Sequence, residues 1–206
     1  RRPWEVVLVD DGSRDRTAEL LKDACRERPW LRLLCHPRNL GVGAALRTGF
    51  GGPLAPIVCT LDSDCTYPPE RLPDLIAALD CGADVVTGSP WHPDNQSVEG
   101  GRLRLALSRG VSGIYRWIAG TGIYTFTCLF RAYRREVVEQ VAFAESGFAA
   151  VTEILIRAIL RGYRVAEVPL ALTARRQGAS KMGIAAAIGG HLKLLVATAR
   201  WVRSTG

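Results

Sequence analysis

The sequence lacks several features that mark common classes of protein. No uncharged apolar run reaches the ~18 residues of a membrane-spanning helix, and there is no internal repeat or low-complexity linker. The 6 cysteines form no CxxC pair and have no histidine at zinc-finger spacing. We therefore expect no spanning helix, repeat array, zinc cluster or disulfide framework, and we predict free thiols in a reducing compartment.

What is present is an ordinary globular composition with a basic bias. Of the 206 residues, 48% are hydrophobic and 23% are charged, which is enough for one domain with a core. The formal net charge of +7 suits an anionic partner, such as a phosphate-bearing substrate, a membrane surface or nucleic acid. Because no nucleic-acid recognition motif or aromatic platform is visible, nucleic acid is not expected as a partner.

The first ninety residues alternate short apolar runs with amphipathic patterns. Strands are predicted at 6–9, 31–35, 57–61 and 84–88, and helices at 16–28, 43–50 and 69–79. The run Val6–Val9 has no polar alternation, which is typical of a strand buried on both faces. The β-α-β-α order predicts an α/β fold with a mainly parallel sheet flanked by helices, and ligands at the rim where the strands end.

After residue 90 the pattern changes. Helices are predicted at 103–119, 134–142, 147–160 and 184–203, and strands at 124–130 and 163–170. Residues 1–183 are expected to form the main domain, and 184–206 a C-terminal amphipathic helix. That helix could pack against the domain or lie on an anionic membrane surface.

The most informative motif is Asp62-Ser63-Asp64, which directly follows the third predicted strand. A turn at a strand end can direct both carboxylates at one point, where they would bind Mg²⁺ or Mn²⁺ through oxygen, and the ion in turn would bind a diphosphate. Two turn-forming aspartates would give the same pattern, so the motif alone leaves both interpretations open.

Three other segments are compatible with ligand binding and with purely structural roles. The acidic turn 10–13 could accept hydrogen bonds from a nucleobase or a ribose, or it could cap a helix. The glycine-rich segment 39–45 could approach a phosphate or fit closely against other backbone. The basic segment 175–181 could bind phosphate through its arginines or be an ordinary solvated loop.

Taken together and in this order, the motifs resemble the family-2 inverting glycosyltransferases, especially the dolichyl- and polyprenyl-phosphate sugar synthases. The resemblance is carried by Val9-Asp10-Asp11-Gly12-Ser13, Asn39-x-Gly41-x-Gly43-Ala44-Ala45, Asp62-x-Asp64 with Pro68-Pro69-Glu70, Gly88-Ser89, Phe130-Arg131, Glu167-Val168-Pro169 and Arg175-x-x-Gly178-x-Ser180-Lys181. It implies a GT-A fold, a nucleotide-diphosphate sugar donor and Mg²⁺ or Mn²⁺. It also implies a polyprenyl or dolichyl phosphate acceptor at the cytoplasmic face of a membrane.

The resemblance also implies roles for individual residues. Asp11 would contact the base, while Asp62 and Asp64 would hold the metal ion and the diphosphate. Glu153 matches an acidic position on the acceptor side, although a satisfied helix carboxylate explains it equally well. The implied catalytic residues are Asp64, Arg131, Glu153 and Arg175, with the two arginines contacting phosphates. The implied donor-binding residues are Asp10, Asp11, Ser13, Asn39, Gly41, Asp62, Ser180 and Lys181.

The chain also departs from the pattern of this family. Thr125 stands where the family often has aspartate, Pro90 where an arginine is common, and Thr66 where glutamine is frequent. Donor and acceptor preferences are therefore expected to differ from those of the familiar synthases. The family's first strand would lie before Arg1, so we predict an N-terminally truncated chain.

The expected reaction is a direct displacement at the anomeric carbon. A lipid phosphate is already anionic and needs no strong general base, which agrees with Thr125 in place of aspartate. A sugar hydroxyl would need a carboxylate base, for which Glu153 is the candidate.

Two alternative functions fit parts of the sequence. The run from Asp62 to Thr66 matches the DxDxT motif of haloacid-dehalogenase-type phosphatases, in which the first aspartate attacks phosphorus. That chemistry needs a later lysine followed by an acidic pair, but only Lys181 and Lys193 follow, and no acidic residue comes after Lys181. A non-catalytic module that binds nucleotide sugars is the second alternative.

Overall fold

The computed structural model describes residues 4–52, 54–95, 97–99, 101–173 and 183–205. The strands in this part of the chain are β1 (Val6–Asp10), β2 (Leu31–Cys35), β3 (Ile57–Thr60), β4 (Val85–Ser89), β5 (Arg131–Arg134) and β6 (Val165–Pro169). The helices are α1 (Thr17–Glu27), α2 (Val42–Phe50), α3 (Leu72–Asp80), α4 (Arg102–Ala119), α5 (Arg135–Gln140), α6 (Ala149–Leu160) and α7 (Ile184–Thr205). The α/β alternation predicted from the apolar pattern is therefore confirmed.

The strands described here form two sheets. β1 and β2 pair in parallel, with Val6 opposite Leu31. The second sheet has the order β3-β5-β4-β6, in which β4 and β6 are parallel and β5 runs antiparallel to both of its neighbours. The sheet is thus less uniformly parallel than the simple β-α-β-α pattern of the first ninety residues suggested.

The strand predicted at 124–130 is not formed, and the neighbouring strand β5 begins only at residue 131. Side chains satisfy the backbone of this segment in place of a neighbouring strand. The N–H of Thr125 donates to Glu167 Oε1 at 2.9 Å, and the N–H of Phe126 donates to Ser112 Oγ at 3.2 Å. Apolar periodicity predicted an extended segment, but it could not show that side chains would replace strand pairing.

Two apolar clusters cover the opposite faces of the second sheet. Val85 in β4 packs into the cluster that joins α4, α6 and α7, while Val86 packs into the cluster built on α3. Because side chains alternate across a strand, these neighbours serve the two layers separately. α6 is buried along most of its length, whereas Val6–Val9 in β1 are only half-buried, so the prediction of a strand buried on both faces is not met. In the described residues β1 pairs only with β2, which leaves it less enclosed than β4.

The predicted C-terminal helix forms as α7 and packs against α4 and α6. The hydroxyl of Tyr115 in α4 donates to the carbonyl of His191 at 3.2 Å, and the guanidinium of Arg157 in α6 lies 4.1 Å from the ring centroid of Trp201. No helix in the described part of the chain is both long and apolar enough to cross a membrane. The division of the chain at residue 183 stays a prediction.

Candidate active site

Asp62 and Asp64 lie in a tight turn immediately after β3. Asp64 Oδ1 accepts hydrogen bonds from the backbone N–H of Thr66 at 3.1 Å and from its hydroxyl at 2.9 Å. Cys65, which stands between Asp64 and Thr66, has a φ of 52°. This left-handed conformation is uncommon for a residue with a Cβ. The hydroxyl of Thr60 donates to the carbonyl of Leu129 at 2.6 Å and so fixes the end of β3 from which the turn starts.

The donor set of this turn fits a hard divalent cation. In the described residues, no three histidine, cysteine, aspartate or glutamate side chains form a group that could bind a metal ion. The protein would thus supply two carboxylates, from Asp62 and Asp64. Mg²⁺ and Mn²⁺ are commonly bound by one or two carboxylates, with substrate phosphates and water completing the coordination.

Asp62 and Asp64 also line a groove of about 570 Å³ between α4 and α7. The walls contributed by the two helices are mostly apolar and include Leu105, Val111, Ile114, Ile188, Leu192 and Leu195. Thr66 and Tyr67 line the same groove beside the carboxylates. The structure therefore joins a candidate metal site to an apolar surface that could not be located from local sequence patterns.

The carboxylate of Asp11 contacts groups from a different part of the chain. Its Oδ1 lies 2.7 Å from His36 Nδ1 and accepts the N–H of Leu40 at 2.8 Å, while Oδ2 accepts the N–H of Gly41 at 2.8 Å. Burial acts to raise the pKa of Asp11, but the hydrogen bonds from these three partners outweigh it and hold the pKa below its ordinary value. Asp11 thus anchors the glycine-rich segment, and its contact with a nucleobase stays a prediction.

A polar cavity of about 380 Å³ lies where the first acidic turn meets the segment after β2. It is lined by Gly12, Ser13, Arg14, Pro37, Arg38 and Asn39, so two predicted donor-binding residues, Ser13 and Asn39, come together. Gly12 has a φ of +71°, and a Cβ there would lie 2.3 Å from the backbone of Arg38, so this close approach requires glycine. Asp10 is buried, and its Oδ1 accepts the N–H of Ser13 at 3.2 Å.

The glycine-rich segment fits closely against the loop before α6. A Cβ on Gly41 would lie 2.4 Å from the carbonyl oxygen of Ser146, and one on Gly43 would lie 2.3 Å from that of Glu145. The N–H of Gly43 donates to Ser146 O at 2.7 Å, and Arg47 donates to Glu145 O at 2.8 Å. Of the two interpretations of this segment, the structure shows backbone packing at Gly41 and Gly43.

Glu153 is a satisfied structural carboxylate with only 2% of its residue surface exposed. Its Oε2 accepts the N–H groups of Ala144 at 3.0 Å and Glu145 at 2.8 Å, and its Oε1 accepts the Nε–H of Arg157 at 2.8 Å. These bonds hold the same loop that packs on the glycine-rich segment. The side chain is not presented as a free base, which agrees with the structural one of the two interpretations.

Arg131 lies in the core and is 0% exposed, although it was expected to contact phosphate. Its guanidinium donates to the carbonyl of Val151, to that of Phe126 at 2.7 Å and to the hydroxyl of Thr87 at 3.2 Å. In this arrangement it supports the irregular segment before β5, because a buried cation needs its donors satisfied. Arg175, the other residue predicted to contact phosphate, and the predicted donor-binding residues Ser180 and Lys181 lie outside the described residues.

Comparison with known proteins shows the family to which this chain belongs. The family model described as "Glycosyl transferase family 2" matches residues 1–142, more than half of the chain. The chain belongs to glycosyltransferase family 2. The resemblance inferred from its motifs is therefore confirmed, and the phosphatase interpretation of Asp62–Thr66 has no support.

Two curated relatives of this family 2 glycosyltransferase have names that refer to a polyprenol monophosphate sugar or to undecaprenyl phosphate. Polyprenol monophosphomannose synthase of Mycolicibacterium smegmatis is 34% identical over 184 residues, which cover 86% of this chain and 69% of the relative. Undecaprenyl-phosphate 4-deoxy-4-formamido-L-arabinose transferase of Edwardsiella ictaluri is 34% identical over 185 residues, covering 89% of this chain and 54% of the relative. The chain thus spans only about half the length of the second relative.

Solved structures confirm the GT-A fold expected for the family. Glucosyl-3-phosphoglycerate synthase from Mycobacterium tuberculosis, in complex with phosphoglyceric acid, superposes with a TM-score of 0.68 at 22% identity, covering 98% of this chain and 68% of that chain. The same synthase with Mn²⁺, uridine diphosphate and glucosyl-3-phosphoglycerate gives a TM-score of 0.68 at 23% identity, covering 94% and 67% of the two chains.

The contact of Thr66 with Asp64 in the candidate site was not predicted from the sequence. In the sequence, Thr66 is only a departure from the family pattern, whereas the structure shows two hydrogen bonds from this residue to Asp64. A threonine two residues after an aspartate is a recurrent local hydrogen-bonding pattern in turns, so a signal was present. The partners of Asp11 come from a distant segment, and no local signal pointed to them. The partners of Glu153 are close in sequence, and Arg157 stands at the i,i+4 spacing at which helix side chains commonly pair.

Proposed function

We propose that this protein transfers a sugar from a nucleoside-diphosphate donor to a polyprenyl phosphate at the cytoplasmic face of a membrane. The observation that carries the proposal is the apolar groove that Asp62 and Asp64 line together with α4 and α7. A hydrocarbon chain gains free energy by leaving water for such a surface, whereas a sugar acceptor needs convergent polar partners. The names of the curated relatives, polyprenol monophosphomannose synthase and undecaprenyl-phosphate transferase, support the same acceptor class.

The donor nucleotide is assigned to the polar cavity beside the first acidic turn. Ser13 and Asn39 offer hydrogen-bonding groups there, and Arg14 and Arg38 bring positive charge to its lining. Guanidinium groups suit the phosphates of a nucleotide because they donate in a planar fork. Asp10 and Asp11 would act behind this surface by holding the turn and the glycine-rich segment in place.

The proposed step is an inverting displacement at the anomeric carbon. A phosphate oxygen of the acceptor forms the new bond to that carbon, while the bond to the nucleoside diphosphate breaks and its electron pair leaves with the diphosphate. Mg²⁺ or Mn²⁺ at Asp62 and Asp64 would neutralise charge on the departing diphosphate. In the basic segment, Arg175, Ser180 and Lys181 are proposed to bind phosphates of donor or acceptor.

The two positions considered for a general base support a phosphate acceptor. Glu153 is enclosed by three hydrogen-bond donors. The hydroxyl of Thr125 is buried and lies 2.7 Å from that of Ser89. A neutral hydroxyl cannot accept a proton from a sugar hydroxyl at neutral pH, whereas a phosphate oxygen needs no such acceptor.

Contact with a membrane surface is proposed for the outer faces of α4 and α7. Large apolar side chains are exposed there, among them Trp117 with 83% of its surface and Leu192 with 60%. The exposed or partly exposed basic residues on these helices are Arg102, Arg104, Arg109, Arg116, Lys193, Arg200 and Arg203. Apolar side chains flanked by arginine are typical of helices that lie in the interface of an anionic bilayer. The six cysteines are all free, which suits the reducing side of that membrane.

The test is a transfer assay with undecaprenyl phosphate in detergent micelles and a panel of radiolabelled UDP- and GDP-sugars. We expect one donor to place label in the organic-solvent extract when Mg²⁺ or Mn²⁺ is present. The label should be lost with EDTA and with Asp64→Ala. Glucosylation of 3-phosphoglycerate in the aqueous phase, without lipid labelling, would contradict the acceptor assignment.

A second measurement separates catalysis from binding alone. The melting temperature of the protein should rise with the accepted donor and Mn²⁺, because a ligand that binds only the native state stabilises it. A metal-dependent rise with neither transfer nor hydrolysis would favour the non-catalytic nucleotide-sugar-binding module over the enzyme.

A further inference from the structure

Thr66 bonds in two directions, toward the Asp64 carboxylate in the turn after β3 and toward the segment after β6. Its N–H and hydroxyl both donate to Asp64 Oδ1, at 3.1 and 2.9 Å. Its carbonyl oxygen accepts both the N–H of Thr173 at 3.1 Å and the Thr173 hydroxyl at 3.0 Å. Thr66 therefore connects Asp64, a candidate metal ligand, to Thr173, which lies 107 positions after Thr66 in the chain.

The segment that leads to Thr173 is itself held by hydrogen bonds to two other parts of the chain. The N–H of Leu170 donates to Ser89 O at 3.2 Å, and Leu172 O accepts the N–H of Glu99 at 2.8 Å. Leu172 also lines the apolar groove. Thr173 is the last described residue before the segment that contains Arg175 and Lys181. The turn after β3 is thus bonded to Thr173, which is held in a segment with its own hydrogen bonds.

We propose that Thr66 and Thr173 are positioning residues that set the orientation of the Asp64 carboxylate and hold it in fixed relation to the segment after β6. The inference rests on the proposed function, in which Asp64 binds the cation that accompanies the donor diphosphate. Neither threonine needs to touch the substrate. Thr66 acts through Asp64, and Thr173 acts through the carbonyl of Thr66.

The physical basis is the restriction of a carboxylate that must present oxygen at a defined place. A free aspartate side chain rotates, and ordering it on metal binding lowers the affinity. Two donors on Oδ1 restrict that rotation before the ion arrives. Partners that orient metal ligands typically change metal affinity or activity by about 10- to 100-fold when they are removed. The left-handed φ of 52° at Cys65 makes this support more important, because such a turn needs bonds that hold it.

The test measures Mn²⁺ binding in the presence of UDP or GDP, using the EPR signal of free Mn²⁺ and subtracting a protein-free titration of the same nucleotide. Thr66→Val keeps the shape of the side chain but removes its hydroxyl, and Thr66→Ser retains a hydroxyl. We expect Thr66→Val to raise the Mn²⁺ dissociation constant by about 10- to 100-fold, with Thr66→Ser close to the wild type.

Thr173→Val supplies a second variant, which should fold because Thr173 is exposed. It removes one of the two bonds to Thr66 O, so we expect a smaller rise in the dissociation constant and recovery with Thr173→Ser. The matched control is Thr198→Val in α7, which also removes a hydroxyl bonded to a carbonyl, at 2.8 Å from Leu194 O. This control should leave Mn²⁺ binding unchanged even if it lowers the melting temperature.

The outcomes separate this inference from the proposed function. If the wild type binds Mn²⁺ with the nucleotide, Asp64→Ala abolishes binding and Thr66→Val binds as the wild type does, the positioning role is wrong while the metal site stands. If Thr173→Val lowers only the melting temperature, Thr173 has no positioning role. If the wild type binds no Mn²⁺ with either nucleotide, the proposals of the metal site and of the positioning role are both wrong.

Discussion

The two acidic turns of this glycosyltransferase look alike in sequence and differ in what surrounds them. Asp10-Asp11 lies at the end of β1, whose last residue is Asp10, and Asp62-x-Asp64 follows β3. Asp11 is contacted by His36, Leu40 and Gly41, all from a distant segment. The Asp64 carboxylate accepts hydrogen bonds from Thr66, two residues away, and Asp64 lines a groove.

This difference explains how one local pattern can serve two purposes. A carboxylate that receives donors from a distant segment ties two parts of the fold together, and its loss is expected to lower stability. A carboxylate held by its own turn beside a cavity can present oxygen to a ligand, and its loss is expected to lower activity. The following predictions test this separation.

The largest effect is expected from Asp64→Ala. Removal of a carboxylate that would hold the cation should lower sugar transfer by roughly 1000-fold, because electrostatic groups that act on the leaving group commonly contribute on that scale. Initial rates of lipid labelling and thermal melting would be measured on the same preparation. The distinction between the turns would be wrong if Asp64→Ala lowered the melting temperature as much as Asp11→Asn does. The Asp64→Ala variant would also have to retain more than a tenth of the wild-type activity.

Glu153→Gln should mainly lower stability. The change removes the negative charge opposite Arg157 and places an amide NH₂ near donors from Ala144 and Glu145. Because Arg157 is partly exposed, the main effect is loss of the buried acceptor for backbone N–H groups, which typically lowers the free energy of unfolding by about 2 kcal/mol. Urea unfolding would measure that loss. Rates per folded molecule should stay near those of the wild type, and a fall above tenfold would restore Glu153 as a catalytic candidate.

Asp11→Asn should lower the free energy of unfolding by about 2 kcal/mol, because one oxygen that accepts an N–H becomes an NH₂ facing a donor. Equilibrium urea unfolding monitored by tryptophan fluorescence would measure the change. Asp23→Asn on the exposed surface of α1 is the control, since its carboxylate accepts a hydrogen bond from Arg26 in the same helix. Equal stabilities of the two variants would show that the bonds to the glycine-rich segment are unimportant.

Leu192→Glu tests whether the outer face of α7 contacts a membrane surface. We expect binding to vesicles of anionic lipid to weaken by about tenfold, because the change removes apolar surface and adds a like charge. Leu20→Glu is a matched control in α1, since Leu20 is 59% exposed and Leu192 60%. Vesicle co-sedimentation would compare them, and equal binding by both variants would contradict the assigned surface.

The smallest effect concerns pH. The pKa of Asp11 is held below its ordinary value of 3.8, so the folded state favours the ionised form. The associated stability is present above the unfolded pKa and disappears as the pH falls through the folded pKa. The difference in unfolding free energy between wild type and Asp11→Asn should be constant from about pH 7 to pH 5 and shrink below about pH 4. A difference that grows on acidification would contradict the assignment.

Several elements could be predicted from sequence because their signals are local. The strands at β2 and β3 and the helices α1, α4 and α7 follow apolar periodicity over a few turns or residues, and their bounds agree within a few residues. The strand predicted at 124–130 was wrong. Its apolar residues indicated extension, but Glu167 and Ser112, from elsewhere in the chain, take the N–H groups that strand pairing would have used.

The sequence by itself determined the family, the order of the elements and the position of each acidic turn after a strand. Tertiary structure alone decided that Asp11 holds a loop, that Glu153 and Arg131 are enclosed, and that Asp62 and Asp64 share a groove with α4 and α7. The physical reason is that periodicity and turn residues are read within a few positions. The N–H groups that hold Asp11 and the apolar walls beside Asp62 and Asp64 come from segments tens of residues away, and they meet only when the chain folds.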